Sequence, residues 1–288
     1  MLLGGTYADL CDITAVDFEY CAAIIDETLS ELKAGLTCDQ LMLSRIDCTV
    51  DVEFSSDLEV MEYILCLKRA ELAPAYKMIE FSPASDERNL HSFRVACKDI
   101  TLTVYDKSYQ LADQKLMSEN EIPPNRLRIE AAFESGAFQR LFHMYKKGTL
   151  YDTLEGKIIW YSEMSVRLLS DYFQQVLASG SYLRFDLAVQ KILESDFTQK
   201  KKERMISFLH QVSRCHKHGV RMAIRAFKEQ GYSSSQIRDL LQCFEQIGLN
   251  PVAIRGSGTL EGFPCVPELL SGKKSCLHQS PGANKTFC

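Results

Sequence analysis

Three carboxylates, two bases and a phenol in this sequence fall at spacings that could bring them to one surface. They are Asp47, Asp51 and Glu130, Lys107 and Arg128, and Tyr105. Carboxylate oxygens are the ligands of hard cations such as Mg2+ or Mn2+. A cationic clamp beside such an ion is the usual arrangement for phosphoryl transfer. In that reading Asp47 and Glu130, with Asp51 as a further ligand, hold one divalent metal, and Lys107 and Arg128 bind a phosphate beside it. The plain alternative is a solvated sheet face. There, opposite charges pair across strands, as Arg45 with Glu130 or Asp47 with Arg128, each contributing about a few tenths of a kcal/mol. Periodicity alone leaves both open.

Strand periodicity is what could gather these residues. In "LSRIDCTVDVEF", residues 43–54, Ile46, Cys48, Val50, Val52 and Phe54 alternate with Arg45, Asp47, Thr49, Asp51 and Glu53. Side chains two apart share a face of a strand. In "ITLTVYDK" Ile100, Leu102 and Val104 form the apolar set, and Thr101, Thr103, Tyr105 and Lys107 point the other way. In "RLRIEAAF" the apolar set is Leu127, Ile129, Ala131 and Phe133, opposite Arg126, Arg128 and Glu130. If the apolar sides share a core, the polar residues share the opposite face.

The elements around these strands follow from the same signals. Residues 1–40 read as a helical segment ending at a capping Gly35. "SSDLEVMEYILCLKRAEL" predicts a helix capped by Ser55 or Ser56 and stopped by Pro74. "YKMIEF", "HSFRVACKDITLTVYDKSYQ" and "LRIEAAF" then alternate as strands. The order strand, helix, strand, strand, strand predicts an α+β unit over 41–140, an antiparallel sheet with helices on one face. Residues 141–250 read as an all-helical, basic region, and 251–288 as an irregular tail.

Composition narrows the class. With 288 residues, 46% apolar and 25% charged, the chain is an ordinary globular protein. No apolar run approaches the ~20 residues of a membrane span, and no basic-then-apolar leader opens the chain, so the expected location is the cytoplasm. The eleven cysteines are scattered without a CxxC pair, which fits small buried side chains in a reducing compartment. Trp160 and its aromatic neighbours read as core.

The net charge of −5 hides a split. Between residues 190 and 228 ten bases face three acids; among the bases are Lys200, Lys201, Lys202, Arg214, Lys217, Arg221 and Arg225. Such a block suggests a polyanion-binding surface, and a solvated helix face explains it equally well. Read as one helix, "KKKERMISFLHQVSRCHKHGVRMAIRAFKEQG" puts Arg214, Lys217, Arg221, Arg225 and Lys228 on one stripe. "GYSSSQIRDLLQCFEQIG" could follow as the second helix of a helix-turn-helix pair.

Three strings in order, "RID", "VYDK" and "LRIE", resemble the rolling-circle replication initiators of Gram-positive plasmids and related phage and mobile elements. Those proteins carry strands of the types R-x-D, [IV]-Y-[DE]-K and R-x-E at comparable separations. The resemblance covers roughly residues 43–133. It implies a Rep endonuclease-like domain that nicks and rejoins DNA by tyrosine transesterification, assisted by Mg2+ or Mn2+. Carried over by position, Asp47 and Glu130 are the outer acids, Tyr105, Asp106 and Lys107 the middle string, and Arg45 and Arg128 the accompanying bases. The implied partner is DNA, as an origin or as single-stranded or supercoiled duplex; no membrane partner is expected, and a homodimer is left open.

One segment departs from the pattern. The initiators place their nucleophile in Y-x-G-S about a dozen residues before Y-D-K, where this chain reads "HSFRVACK". A nucleophile must then come from Tyr105 or Tyr109, or from Tyr145 or Tyr151, because a phenolate can attack phosphorus and later leave while a Phe cannot. The alternative is a non-catalytic DNA-binding or regulatory protein on the same fold, and a third reading assigns the charge split to protein–protein contact.

Overall fold

A computed structural model describes residues 14–83, 85–145, 153–255 and 260–271. Thr14 caps the first helix, α1 (Ala15–Glu31), through a capping box with Asp17, and Lys33 and Gly35, both at positive φ, end it. β1 (Arg45–Glu53) follows, then α2 (Asp57–Arg69), capped by Ser56. β2 (Lys77–Met78), β3 (Ser92–Cys97) and β4 (Ile100–Asp106) lead into the short helix α3 (Lys107–Asp113), and β5 (Arg126–Glu134) into α4 (Ser135–Tyr145). The helical part comprises α5 (Leu154–Val176), α6 (Phe185–Glu194), α7 (Gln199–Ser213), α8 (Gly219–Glu229), α9 (Ser234–Gln246) and α10 (Val266–Ser271). A two-stranded ladder joins β6 (Tyr182–Leu183) to β7 (Gly262–Phe263).

The fold is α+β, as the order of elements predicts. The five strands form one antiparallel sheet in the order β1-β5-β4-β3-β2, so β2 through β5 meander and β1 closes the far edge. β1 and β2 sit on opposite edges, and α2 carries the chain between them across the apolar face. That face is Cys48, Val50 and Val52 of β1, Leu127, Ile129, Ala131 and Phe133 of β5, Leu102 and Val104 of β4, and Phe93 and Val95 of β3, all buried. Tyr63 of α2 packs on Phe54, with ring centroids 5.5 Å apart, and Tyr172 of α5 packs on Phe133 at 5.1 Å. These contacts, with the buried residues of α6 to α9, make one continuous hydrophobic core. Burial of this apolar surface is the main stabilising term.

Two expectations are corrected. "HSFRVACKDITLTVYDKSYQ" does not stay extended to its end: β4 stops at Asp106, whose carboxylate accepts the Tyr109 amide and caps α3. Lys107 and Tyr109 are therefore helical. Secondly, the expected irregular tail is ordered over much of its first half. Residues 251–255 and 260–271 put Val252, Ala253, Ile254, Phe263, Cys265, Val266 and Leu270 into the core, around few enough apolar positions that periodicity does not show them. Residues 272–288 lie outside the described residues. Among the described residues the cysteines are free thiols, and burial pushes Cys48 and Cys66 up to about 12. No described helix is long and apolar enough to cross a membrane.

Two glycines test the backbone. Gly180 has φ +98, and a Cβ there would lie 2.6 Å from the Leu249 carbonyl carbon, where Ser181 and Asn250 stitch two loops together. Gly231 has φ +91 with open space around it. Gly231→Ala should cost about 1 kcal/mol from the left-handed backbone alone. Gly180→Ala should cost clearly more, because steric overlap adds to the same strain; urea denaturation of the two variants reads the difference.

Candidate functional site on the polar face of the sheet

The register of β1 on β5 decides which polar residues meet. Arg45 lies opposite Glu134, Thr49 opposite Glu130 and Asp51 opposite Arg128. On the other side of β5, Tyr105 of β4 also lies opposite Arg128. Arg128 is thus the centre of a cross-strand row running Asp51, Arg128, Tyr105, Ser92.

The pairs expected from spacing are shifted in consequence. Arg45 does not reach Glu130 as its strand partner. It chelates Asp47 two residues along its own strand, Nε to Oδ1 at 2.7 Å, and its Nη1 approaches Glu134 at 3.8 Å. Arg128 pairs with Asp51, not Asp47: Nε lies 2.6 Å from Oδ1 and Nη2 2.8 Å from Oδ2. Arg126 adds a contact of 3.7 Å to the same carboxylate. Exposure separates the two ion pairs. The Arg45 and Asp47 side chains are 50% and 45% exposed, those of Arg128 and Asp51 8% and 16%. The order of importance inferred from sequence, Asp47 ahead of Asp51, is reversed for packing.

Electrostatics follows burial. Burial opposes the charge on Arg128, but the Asp51 hydrogen bonds and charge outweigh it and raise its pKa. The Tyr105 hydroxyl donates to Glu130 Oε1 at 2.8 Å. Burial lifts Glu130 above the usual carboxylate range against the pull of that hydrogen bond and of Arg128. Burial and the neighbouring Glu130 charge push Tyr105 far above an ordinary phenol. Lys107 opens α3 at the edge of this group, 5% exposed. Its ammonium donates to the neutral amide of Gln110 at 2.8 Å and makes no ion pair with a described residue. Burial, then the charge of Arg128, lowers its pKa.

Tyr109, the other tyrosine near the middle string, belongs to a different cluster. Its ring stacks on His91 at 3.7 Å with 3° between planes, and His91 Nδ1 is 3.1 Å from Asp106 Oδ2. Tyr145 ends α4, and Tyr151 lies outside the described residues. Strand spacing gives no sign of Gln110 or His91, and it puts Arg126 on the polar face without a role. Gln110 becomes a neighbour of Lys107 only once a helix starts at 107, because it sits at i+3. Arg126 shares the two-residue period of Arg128 and Glu130, and that signal was present in "RLRIE".

The donor set meets a divalent metal only in part. Asp51 has both oxygens on Arg128, so the three-carboxylate version has no free third ligand. Asp47 and Glu130 stand diagonally across β1 and β5, at about 7–8 Å in a regular sheet, and could reach a common ion. A cation there would have to displace Arg45 from Asp47 and share Glu130 with Tyr105. Among the described residues no cluster of three His, Cys, Asp or Glu side chains forms a metal site.

The basic block is rearranged too. It is two helices, not one: α7 ends at Ser213 and α8 begins at Gly219, with His218 at φ 53 between them. Arg214 and Lys217 therefore lie in the connecting loop, off the stripe predicted for them, and Lys217 pairs with Glu80 at 2.6 Å. Lys200 and Lys201 are exposed on α7, and the Lys202 ammonium donates to the Leu193 carbonyl at 2.7 Å. Arg221 and Arg225 are exposed on α8, the latter beside Glu229 at 3.0 Å. No family model, curated protein or solved structure matches the chain.

Asp51→Ala should destabilise by about 3 kcal/mol, since it strands a buried guanidinium. Asp47→Ala should cost under about 1 kcal/mol, as for exposed pairs. Glu130→Gln should stabilise at neutral pH. A carboxyl raised in the folded state carries a penalty that is absent below the unfolded pKa and grows as pH rises through the folded pKa. The gain should vanish on acidification below ordinary carboxylate pKa values, as thermal unfolding across pH will show.

Proposed function

We propose that this chain is a replication-initiator-like DNA-binding protein, of the kind carried by plasmids, phages or integrated mobile elements, and that it holds a DNA phosphate over the polar face of its sheet. The observation that supports this best is Lys107. A buried ammonium beside a buried guanidinium, bonded only to a neutral amide among the described residues, is an arrangement that an anion would complete. Lys107 is also the lysine of "VYDK", so the resemblance and the electrostatics point to the same residue.

Whether the chain cuts DNA turns on the phenols. A nucleophilic tyrosine needs its phenolate within reach, and Tyr105 is held neutral by burial and by Glu130. Tyr109 faces His91 instead. These observations favour the binding reading over metal-assisted nicking, with Tyr105 and Tyr109 as nucleophiles and Asp47 and Glu130 as Mg2+ or Mn2+ ligands standing as the second reading.

Lys107→Met separates a ligand site from a structural lysine. It should raise the unfolding midpoint, because it removes a charge that folding desolvates, and should weaken DNA binding measured by fluorescence anisotropy at low salt. Wild-type affinity should also fall as pH rises through the lowered Lys107 pKa, since only the ammonium attracts phosphate. Absence of DNA affinity at low salt would overturn the proposal. On supercoiled plasmid with Mn2+ no covalent adduct is expected; an adduct mapped to Tyr105 or Tyr109 would instead establish nicking.

A further inference from the structure

The three helices α7, α8 and α9 carry a second charged surface, remote in sequence from the sheet strings. They pack around three phenylalanines, Phe208, Phe227 and Phe244, with centroid distances of 5.2 Å for Phe208–Phe227 and 6.1 Å for Phe208–Phe244. α8 passes to α9 through a four-residue turn, 230–233. Gly231 takes the positive φ that the turn requires, the Tyr232 amide donates to the Phe227 carbonyl at 3.0 Å, and the Tyr232 ring packs on Phe227 at 4.9 Å. Ser233 then caps α9 in a capping box with Gln236. The turn is thus held from both sides, by a hydrogen bond and ring packing on α8 and by the cap on α9.

Charge is concentrated on this unit. Over residues 199–247 ten bases face four acids in a chain whose net charge is −5. On α8 the exposed bases Arg221, Arg225 and Lys228 fall at i, i+4 and i+7, one stripe. Arg204 of α7 lies over the Tyr232 ring at 5.5 Å, so the basic start of α7 comes to the turn as well. Arg221, Lys228 and Arg238 make no ion pair with a described residue. The first turn of α9 carries no acid, and its residues Ser234, Ser235 and Gln236 are exposed, followed by exposed Arg238.

We infer that α8, the Gly231 turn and α9 form a helix-turn-helix that docks on duplex DNA. α9 enters the major groove with Ser235 and Arg238 toward base edges, while Arg204 and Lys228 contact phosphates. The dimensions agree: a helix is about 10–12 Å across with its side chains, and the major groove is about 12 Å wide. Hydroxyls and a guanidinium at the start of the second helix are groups that read base edges, and bases on the first helix and turn are groups that fix register on the backbone. The inference deepens the DNA-binding reading by giving the chain a sequence-reading surface separate from the phosphate-holding sheet.

The test uses the full chain. Selection from a pool of random DNA duplexes should enrich one motif, and anisotropy then compares variants on that motif and on a scrambled duplex. Arg238→Ala should weaken binding to the enriched motif about tenfold and leave scrambled DNA nearly unchanged. Lys228→Ala should weaken both and lower the slope of log affinity against log salt by about 1. Both side chains are exposed, so the unfolding midpoints should stay at the wild-type value and report intact folding. No enrichment would overturn the inference. So would an Arg238→Ala effect equal on both duplexes, or competition by an A-form RNA duplex as strong as that by DNA. Lys107→Met keeps the two proposals apart: it should lower affinity without changing the motif selected. If it leaves DNA affinity untouched while the Arg238 result holds, the sheet-face reading fails and the helix-turn-helix stands.

Discussion

Asp51 and Arg128 join β1 to β5 by two short hydrogen bonds, from a guanidinium to a carboxylate, both largely withdrawn from water. A bidentate pair of this kind tolerates little misplacement, and its loss on one side leaves a buried charge. Because strand side chains alternate, a slip of β1 by one residue would turn Cys48, Val50 and Val52 outward and the acids into the core. The apolar face forbids that slip, and the ion pair selects the register among those that remain. Once Asp51 faces Arg128, Thr49 faces Glu130 and Arg45 faces Glu134, and the rest of the polar face follows.

That face is more enclosed than its composition suggests. Arg128 and Lys107 are buried, and Glu130 and Tyr105 are half-buried, so each charge depends on its neighbour for compensation. Arg128 has a matched carboxylate, and Glu130 has a phenol and a more distant guanidinium. Lys107 has an amide. The row runs from a closed ion pair at the β1 edge to a lysine at the start of α3 whose ammonium donates to an amide, with the Glu130 and Asp51 charges nearby. Tyr105, between the two, donates its hydroxyl proton to Glu130.

Two systems of charge therefore coexist. On the sheet, Arg45, Arg126 and Arg128 pair with acids at close range, and the local field is short. On α7 to α9 the bases outnumber the acids, several are unopposed, and the field extends into solvent, where salt screens it. The hydrophobic core that joins the sheet to the helices carries no part of this division; it holds both surfaces on one frame.

The amphipathic strands, a serine cap at 55 or 56, the class of fold and the gathering of Asp47, Asp51, Tyr105, Arg128 and Glu130 on one face were legible in residues 43–133. They follow from side-chain period and local hydrogen bonding, which act over a few neighbours. The separate helix in "GYSSSQIRDLLQCFEQIG" was legible for the same reason. The pairing of Arg128 with Asp51, 77 residues apart, was not, because register depends on how two strands slide against a shared core. The break between α7 and α8 and the burial of 252–254 and of Phe263, Cys265, Val266 and Leu270 escaped likewise. "HKHG" carries no proline to stop a helix, and the later apolar residues gain their meaning only from the cavity other elements leave for them. Sequence alone determined which faces the residues occupy. Tertiary packing decided which of them touch, and so which carboxylate closes on an arginine and which lysine hydrogen-bonds to an amide.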